Sequence, residues 1–150
     1  MKITNIITVI LIITAIFTSA AYSSGLLSGY YQIMSLVLTY NDDPKTKQGF
    51  NNNNLYIIAG DKRIRIVGAW RGYPLMQDVI IEKTIGDTLI LRDTDNPQSV
   101  FKFRVRNNTI SGRHSITDED GTRKIVDSKA VIKQLNQSES DRLKIIFSLP

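Results

Sequence analysis

The chain of 150 residues contains no cysteine. That absence excludes a disulfide framework, thiol nucleophiles, zinc–thiolate sites and iron–sulfur clusters, and it rules out a lipid anchor on a cysteine. A single histidine, His114, is nearly as restrictive. One imidazole without thiolates builds a zinc site only if several carboxylates join it, so no metal site is expected. Phosphate loops, dinucleotide fingerprints and the Gly-x-Ser-x-Gly nucleophile elbow are also missing. The stretches DTDN (93–96) and DEDG (118–121) carry the acids of a calcium loop without its full spacing, and turn formation accounts for both. No cofactor is implied. Before residue 127 there is no helical period of useful length.

What is present begins with an unusual leader, MKITNIITVILIITAIFTSAAYSS. Lys2 precedes an apolar run from Ile6 to Phe17, and small residues follow from Thr18 to Ser24. A basic start, a short apolar core and a small-residue exit are the layout of a secretory signal peptide. Cleavage after Ala20, Ala21 or Ser23 is chemically reasonable. The competing reading is an uncleaved membrane anchor, because 6–22 reaches the lower limit of about 17 residues for a spanning helix. A buried core helix is the third reading. The expectation is therefore a signal segment (or anchor) over 1–23 and one domain over 24–150. The protein would be exported to the periplasm or cell exterior, and only this segment, if retained, would touch a membrane.

Net charge is +5, and without Lys2 the 18 basic residues outnumber the 14 acidic ones by four. That mild excess suits a protein near an anionic envelope or polymer. Without disulfides, stability must come from the hydrophobic core alone.

Short runs rich in β-branched and aromatic residues recur along the chain, each bounded by turn chemistry. Gly29 to Tyr40 reads as a long first strand, and 41–54 as a polar loop broken by Pro44 and Gly49. A hairpin over 55–68 turns at Gly60-Asp61, and 70–77 is an irregular connection. A second hairpin over 78–93 turns at Gly86-Asp87, where a Gly-X pair suits a type II′ turn because its first position needs positive φ. After a break at 94–98 come the strands of 101–116, a turn at 118–121 and the strand TRKIV. Beyond Asp127, DSKAVIKQLNQ fits either a strand or a short helix capped by Asp127 or Ser128, and 141–149 reads as a final strand.

The stretch FKFRVRNNTISGRHSI (101–116) alternates apolar and basic residues around a pair of asparagines. A two-residue turn at Asn107-Asn108 sets Arg106 against Thr109, Val105 against Ile110, Phe103 against Gly112 and Phe101 against His114. One face then carries Phe101, Phe103, Val105, Ile110, Gly112 and His114. The other carries Lys102, Arg104, Arg106, Thr109, Ser111 and Arg113. Lys102 opposes Arg113, and like charges across a strand pair repel. A neighbouring acidic strand or an anionic partner would offset that repulsion, and Arg63 and Arg65 would extend the basic face. A second turn at Asp120-Gly121 sets His114 opposite Asp127 on the inner face. Such a pair is most often a satisfied structural couple, and its functional alternative is to orient a ligand. A catalytic triad is disfavoured, because Ser111 and Ser115 point away from His114. Nucleic-acid recognition would need exposed aromatics among the basic residues, and here the aromatics alternate inward. Trp70 and Tyr73, in AWRGYPL, are candidates for a ligand lip or a docking anchor.

The Gly-x-aromatic start at Gly29, Tyr30 and Tyr31, the serial hairpins and the late TISGRHSITDEDGTRKIV resemble the small lipocalin-like barrels. In that family a Gly-x-Trp lies near the barrel floor; here tyrosine takes the tryptophan's place. Arg142 is the candidate for the family's packing arginine near the start of the last strand. The resemblance implies an internal apolar pocket open at one end, although a filled barrel or a sandwich would show the same strand pattern.

The combined expectation is an all-β protein, a small antiparallel up-and-down barrel of about eight strands after an N-terminal signal segment. It would be a non-enzymatic binding protein holding a small amphiphile or lipid among Phe101, Phe103, Val105 and Ile110. His114 and Asp127 would orient a polar head, with Trp70 and Tyr73 at the lip. The alternative is an interaction or inhibitor module docking an acidic protein or anionic envelope polymer through Lys102, Arg104, Arg106 and Arg113. A third reading is an enzyme using the His–Asp pair as general base.

Overall fold

The computed structural model describes residues 26–45, 47–51, 54–70, 72–117 and 121–149, so the expected leader over 1–23 lies outside the described residues. Among the described residues nine antiparallel strands are followed by one helix. They are β1 (Gly29–Tyr40), β2 (Lys47–Phe50), β3 (Leu55–Ala59), β4 (Arg63–Trp70), β5 (Tyr73–Ile85), β6 (Thr88–Asp93), β7 (Val100–Arg106), β8 (Thr109–Thr117) and β9 (Arg123–Gln134), then α1 (Gln137–Phe147). From β3 onward each strand pairs with the next, and β9 returns to pair with β1 from Tyr31 to Tyr40. The result is the closed up-and-down barrel of eight strands that the lipocalin-like resemblance implied, with β2 as an extra strand.

β2 and β3 lie along the same side of β1. Phe50 pairs with Leu36 while Tyr56 pairs with Gln32, so the two are halves of one broken ribbon with two residues of slack between them. The polar stretch 41–54, expected as loop throughout, therefore contains a short strand. At the break, Gly68 has φ +137°, and a Cβ there would lie 1.8 Å from the Asn54 carbonyl oxygen. Only glycine lets the backbones approach so closely. The stretch 70–77, expected as irregular, is also mostly strand: β5 starts at Tyr73, which pairs directly with Trp70. The first hairpin turns one residue later than expected, with Ala59 against Ile64 and Gly60 N–H donating to Arg63 O at 2.9 Å. That moves pairing by two residues and leaves every side chain on its expected face.

Inward positions build two apolar clusters. The larger joins Leu27, Tyr31, Ile33, Leu55, Ile57, Ala59, Ile64, Val79, Leu89, Leu91, Ala130 and Ile132, all buried. It fills the end where β1 begins, which also carries the tight turns at Asp61-Lys62, Gly86-Asp87 and Asn107-Asn108. Tyr31 is sealed there, its hydroxyl donating to Ser28 O at 3.0 Å. This is the floor position that the Gly-x-aromatic pattern assigned to it. Leu38, Tyr40 and Val126 form the smaller cluster toward the opposite end, where the longer connections 41–46, 94–99 and 118–122 gather.

The last segment overturns the expected strand at 141–149. It is helical because Asn136 caps it: the Asn136 side chain accepts from Glu139 N–H and the Glu139 carboxylate accepts from Asn136 N–H, both at 2.9 Å. This reciprocal capping box satisfies two otherwise orphaned donors. The helix lies on the outer wall over β1 and β3. Leu143 is buried, the Phe147 ring sits 6.2 Å from Tyr56, and Lys144 Nζ stands 5.5 Å from the Tyr30 ring centroid. Arg142 is exposed on that helix and is not a packing arginine of a closing strand. The stretch after Asp127, left open between strand and helix, is strand to Gln134. Among the described residues no helix is long and apolar enough to cross a membrane.

Candidate functional site

The β7–β8 hairpin has the register read from its sequence. Asn107 and Asn108 take φ of 45° and 58°, the paired positive values of a type I′ turn. Phe103 lies opposite Gly112, Val105 opposite Ile110, and Lys102 opposite Arg113. Gly112 has no spare room: a Cβ would meet Lys102 O at 2.4 Å and Phe103 Cδ1 at 2.6 Å. The Phe103 ring therefore covers the glycine. It reaches to 5.6 Å from the His114 ring, and Phe101 meets His114 edge-on at 6.2 Å, 89° between planes. Burial pushes the His114 pKa below its ordinary 6.5, so the imidazole is neutral at pH 7. A neutral imidazole offers one donor and one acceptor among apolar rings.

These rings differ in exposure from the rest of the inner wall. Tyr31, Ile33, Leu55, Ile57, Ile64, Leu89 and Ile132 are sealed, whereas the inward-facing Phe101, Phe103, Val105, Ile110 and His114 are only half-buried. Phe101 and His114 lie toward the end of the longer connections, whereas Val105 and Ile110 flank the Asn107-Asn108 turn at the floor, and the four apolar residues pack against the larger cluster. Nearby, Gln77 Nε2 donates weakly to Asp93 Oδ2 at 3.4 Å, and Ser128 Oγ donates to Gly112 O at 3.3 Å. Both contacts add polarity to an otherwise apolar surface.

Asp127 is not part of this group. Thr117 pairs with Arg123 across five intervening residues, so the β8–β9 register differs by one from that of a turn centred on Asp120-Gly121. Part of that bend (118–120) lies outside the described residues. His114 faces Val126, and Asp127 faces Arg113 on the outer wall. A one-residue shift reverses every side chain of a strand, so the expected His–Asp couple does not form. Trp70 and Tyr73 are brought together by their pairing where β4 meets β5, at the end of the longer connections, and Tyr73 is 75% exposed.

Outside, the basic face acquires acids that its own hairpin lacks. Arg113 Nε and Nη2 donate to Asp127 Oδ1 and Oδ2 at 2.8 and 2.9 Å, which holds the Asp127 carboxyl below its usual pKa. Asp87, in the β5–β6 turn, accepts from Arg106 and lies 3.5 Å from Arg104 Nε. The Arg106 hydrogen bond lowers its pKa likewise. Arg63 and Arg65 do not extend this face. Both pair with Asp78 on β5, Arg65 in bidentate fashion at 2.6 and 2.8 Å. Among the described residues no three potential ligands gather for a metal ion.

The sequence reading missed Lys47 and Lys129, which join the same outer face. Lys129 was legible in principle, since it alternates with the buried Ser128 and Ala130 once β9 is recognised as a strand.

No family model and no curated protein matches the chain. One solved structure, Odorant Binding Protein OBP1, aligns over 83% of this chain and 86% of its own, at 15% identity and a TM-score of 0.37. The barrel assignment rests on the strand pairing described above.

Proposed function

We propose that this is an exported, non-enzymatic binding protein that takes a small apolar or amphiphilic molecule into its barrel from the end of the longer connections. The half-burial of the inward residues Phe101 and His114, toward that end and above the sealed floor cluster, supports this reading. The rings and aliphatic groups supply apolar contact, and neutral His114 supplies a hydrogen bond to an uncharged polar head such as a hydroxyl or protonated carboxyl. Export is inferred from the layout of residues 1–24. The non-enzymatic reading rests on the surroundings of His114. Its cross-strand neighbour is Val126, and Ser111 and Ser115 sit at strand positions of the opposite face, so among the described residues the strand pairing sets neither an orienting carboxylate nor a nucleophile beside it.

The test is titration of the folded protein with a fluorescent apolar probe such as N-phenyl-1-naphthylamine, followed by displacement with fatty alcohols and fatty acids of graded length. Saturable probe uptake, weakened by Phe101→Ala, is expected. His114→Phe should keep probe affinity and lose the preference for alcohols over matched alkanes. Folded protein that takes up no probe saturably would overturn the proposal.

A further inference from the structure

We infer that the outer face of β2, β1, β9, β8 and β7 is a binding site for a linear anionic polysaccharide. Strand pairing sets two rows of side chains across this face. One runs Lys47, Thr39, Asp127, Arg113, Lys102; the other runs Val37, Lys129, Ser111, Arg104, Thr88. Together they line a concavity of about 730 Å³. Five cations point into it and one acid, Asp127, which is already bound to Arg113. Arg104 leans toward Asp87 at 3.5 Å. Lys47, Lys102 and Lys129 are exposed and make no ion pair among the described residues.

Those three lysines are evenly placed. They stand on β2, β9 and β7, each two strands from the next, and Lys129 lies in the other row two residues along the strands, so successive lysines are about 12 Å apart. That interval is close to the length of a disaccharide in an extended glycan. A single small anion bridges at most one such step, whereas a polymer with regularly repeated charge meets all three.

The surroundings of the cations select among polyanions. No aromatic side chain lines the face, so nucleic-acid bases have no stacking platform. Val37 is the one large apolar residue in the lining, which leaves an acidic protein without the apolar anchors that carry protein interfaces. Hydroxyl groups of Thr39, Thr88 and Ser111 alternate with the cations and match a chain rich in hydroxyls. Asp127 already offsets the charge of Arg113, so in the directly opposed Lys102–Arg113 pair it is Lys102 that is left to meet a sulfate or carboxylate. The site stands on the outer wall and is independent of the interior ligand.

Affinity for heparin and polygalacturonate oligosaccharides of defined length, measured by calorimetry at several salt concentrations, tests the assignment. Binding is expected to strengthen with chain length and to weaken steeply with salt. The Lys102→Glu/Lys129→Glu pair should weaken it about tenfold or more, and Lys62→Glu, in the turn at the far end of β3, should leave it unchanged. Lys102→Gln/Lys129→Gln supplies the same test without added repulsion, and thermal melting confirms folding. Binding unaltered in the glutamine pair would overturn the inference. So would tighter binding to polyglutamate, single-stranded DNA or phosphatidylglycerol vesicles than to the oligosaccharides, or equal binding to uncharged dextran. Uptake of the apolar probe should be unaffected by these lysine changes.

Discussion

Asp127 gives both carboxylate oxygens to Arg113, at 2.8 and 2.9 Å, and so sets a fixed negative charge in the middle of a cationic face. The pair is well exposed, with side-chain accessibilities of 63% and 48%, so it contributes little to stability. Its larger effect is on charge. Asp127→Asn should raise the affinity for heparin oligosaccharides and barely move the melting temperature. Calorimetry and thermal melting of the one variant check both outcomes; weaker binding would mean that Asp127 positions Arg113 for the ligand.

Gly112 is held by contact with its neighbours. Adding one methyl drives it against Lys102 O and the Phe103 ring. Gly112→Ala should therefore cost about 1–3 kcal/mol in urea unfolding, the usual range for overpacking. The same change should displace Phe103 and weaken probe uptake, an effect that purely peripheral strain would not produce.

His114 makes stability depend on pH near neutrality. Burial lowers its folded pKa below 6.5, so between those two values the unfolded chain binds more protons than the folded one. Its contribution is complete above pH 6.5 and is lost as pH falls toward the folded value. Urea unfolding from pH 7.5 down to 5 should show declining stability, and His114→Leu should flatten that decline.

A second, more acidic window belongs to the carboxylates. Asp78, Asp87, Asp127 and Glu139 all have lowered pKa values, caused first by hydrogen bonds from Arg65, Arg106, Arg113 and Lys133 respectively. What they contribute is present above their ordinary values of 3.8 to 4.5 and is lost as pH falls through the folded values. A further loss of stability below about pH 4 is expected. Asp78→Asn should reduce it most, since Asp78 is the least exposed of the four, at 20%.

The C-terminal helix depends on its cap. Asn136→Ala removes the acceptor for Glu139 N–H and should cost about 1 kcal/mol. Helical circular dichroism should fall with it, while probe uptake inside the barrel remains.

Local chemistry in the chain decided the barrel's strands and most of its faces. Alternation of period two marked the long strands, and Asn107-Asn108 and Gly86-Asp87 pinned two hairpins, because a two-residue turn leaves one pairing open to the strands it joins. The mistake at Gly60-Asp61 was harmless, since a shift of two residues keeps each side chain on its face. Sealing Tyr31 at the floor and gathering Phe101, Phe103 and His114 inside followed from that alternation. The connection from Thr117 to Arg123 was different. A five-residue loop does not dictate whether the register is odd or even, and the folded sheet placed Asp127 beside Arg113 rather than His114. The end of the chain was decided in the same way. KIIF has the β-branched content of a strand, but closure of β9 onto β1 leaves no edge for it there, and the Asn136 cap with packing on Tyr30 and Tyr56 makes it a helix. The full cationic face likewise existed only after closure: the serial β7–β8–β9 pairings gather Lys102, Arg104, Arg113 and Lys129, but Lys47 joins them only through the pairing of β1 with β9.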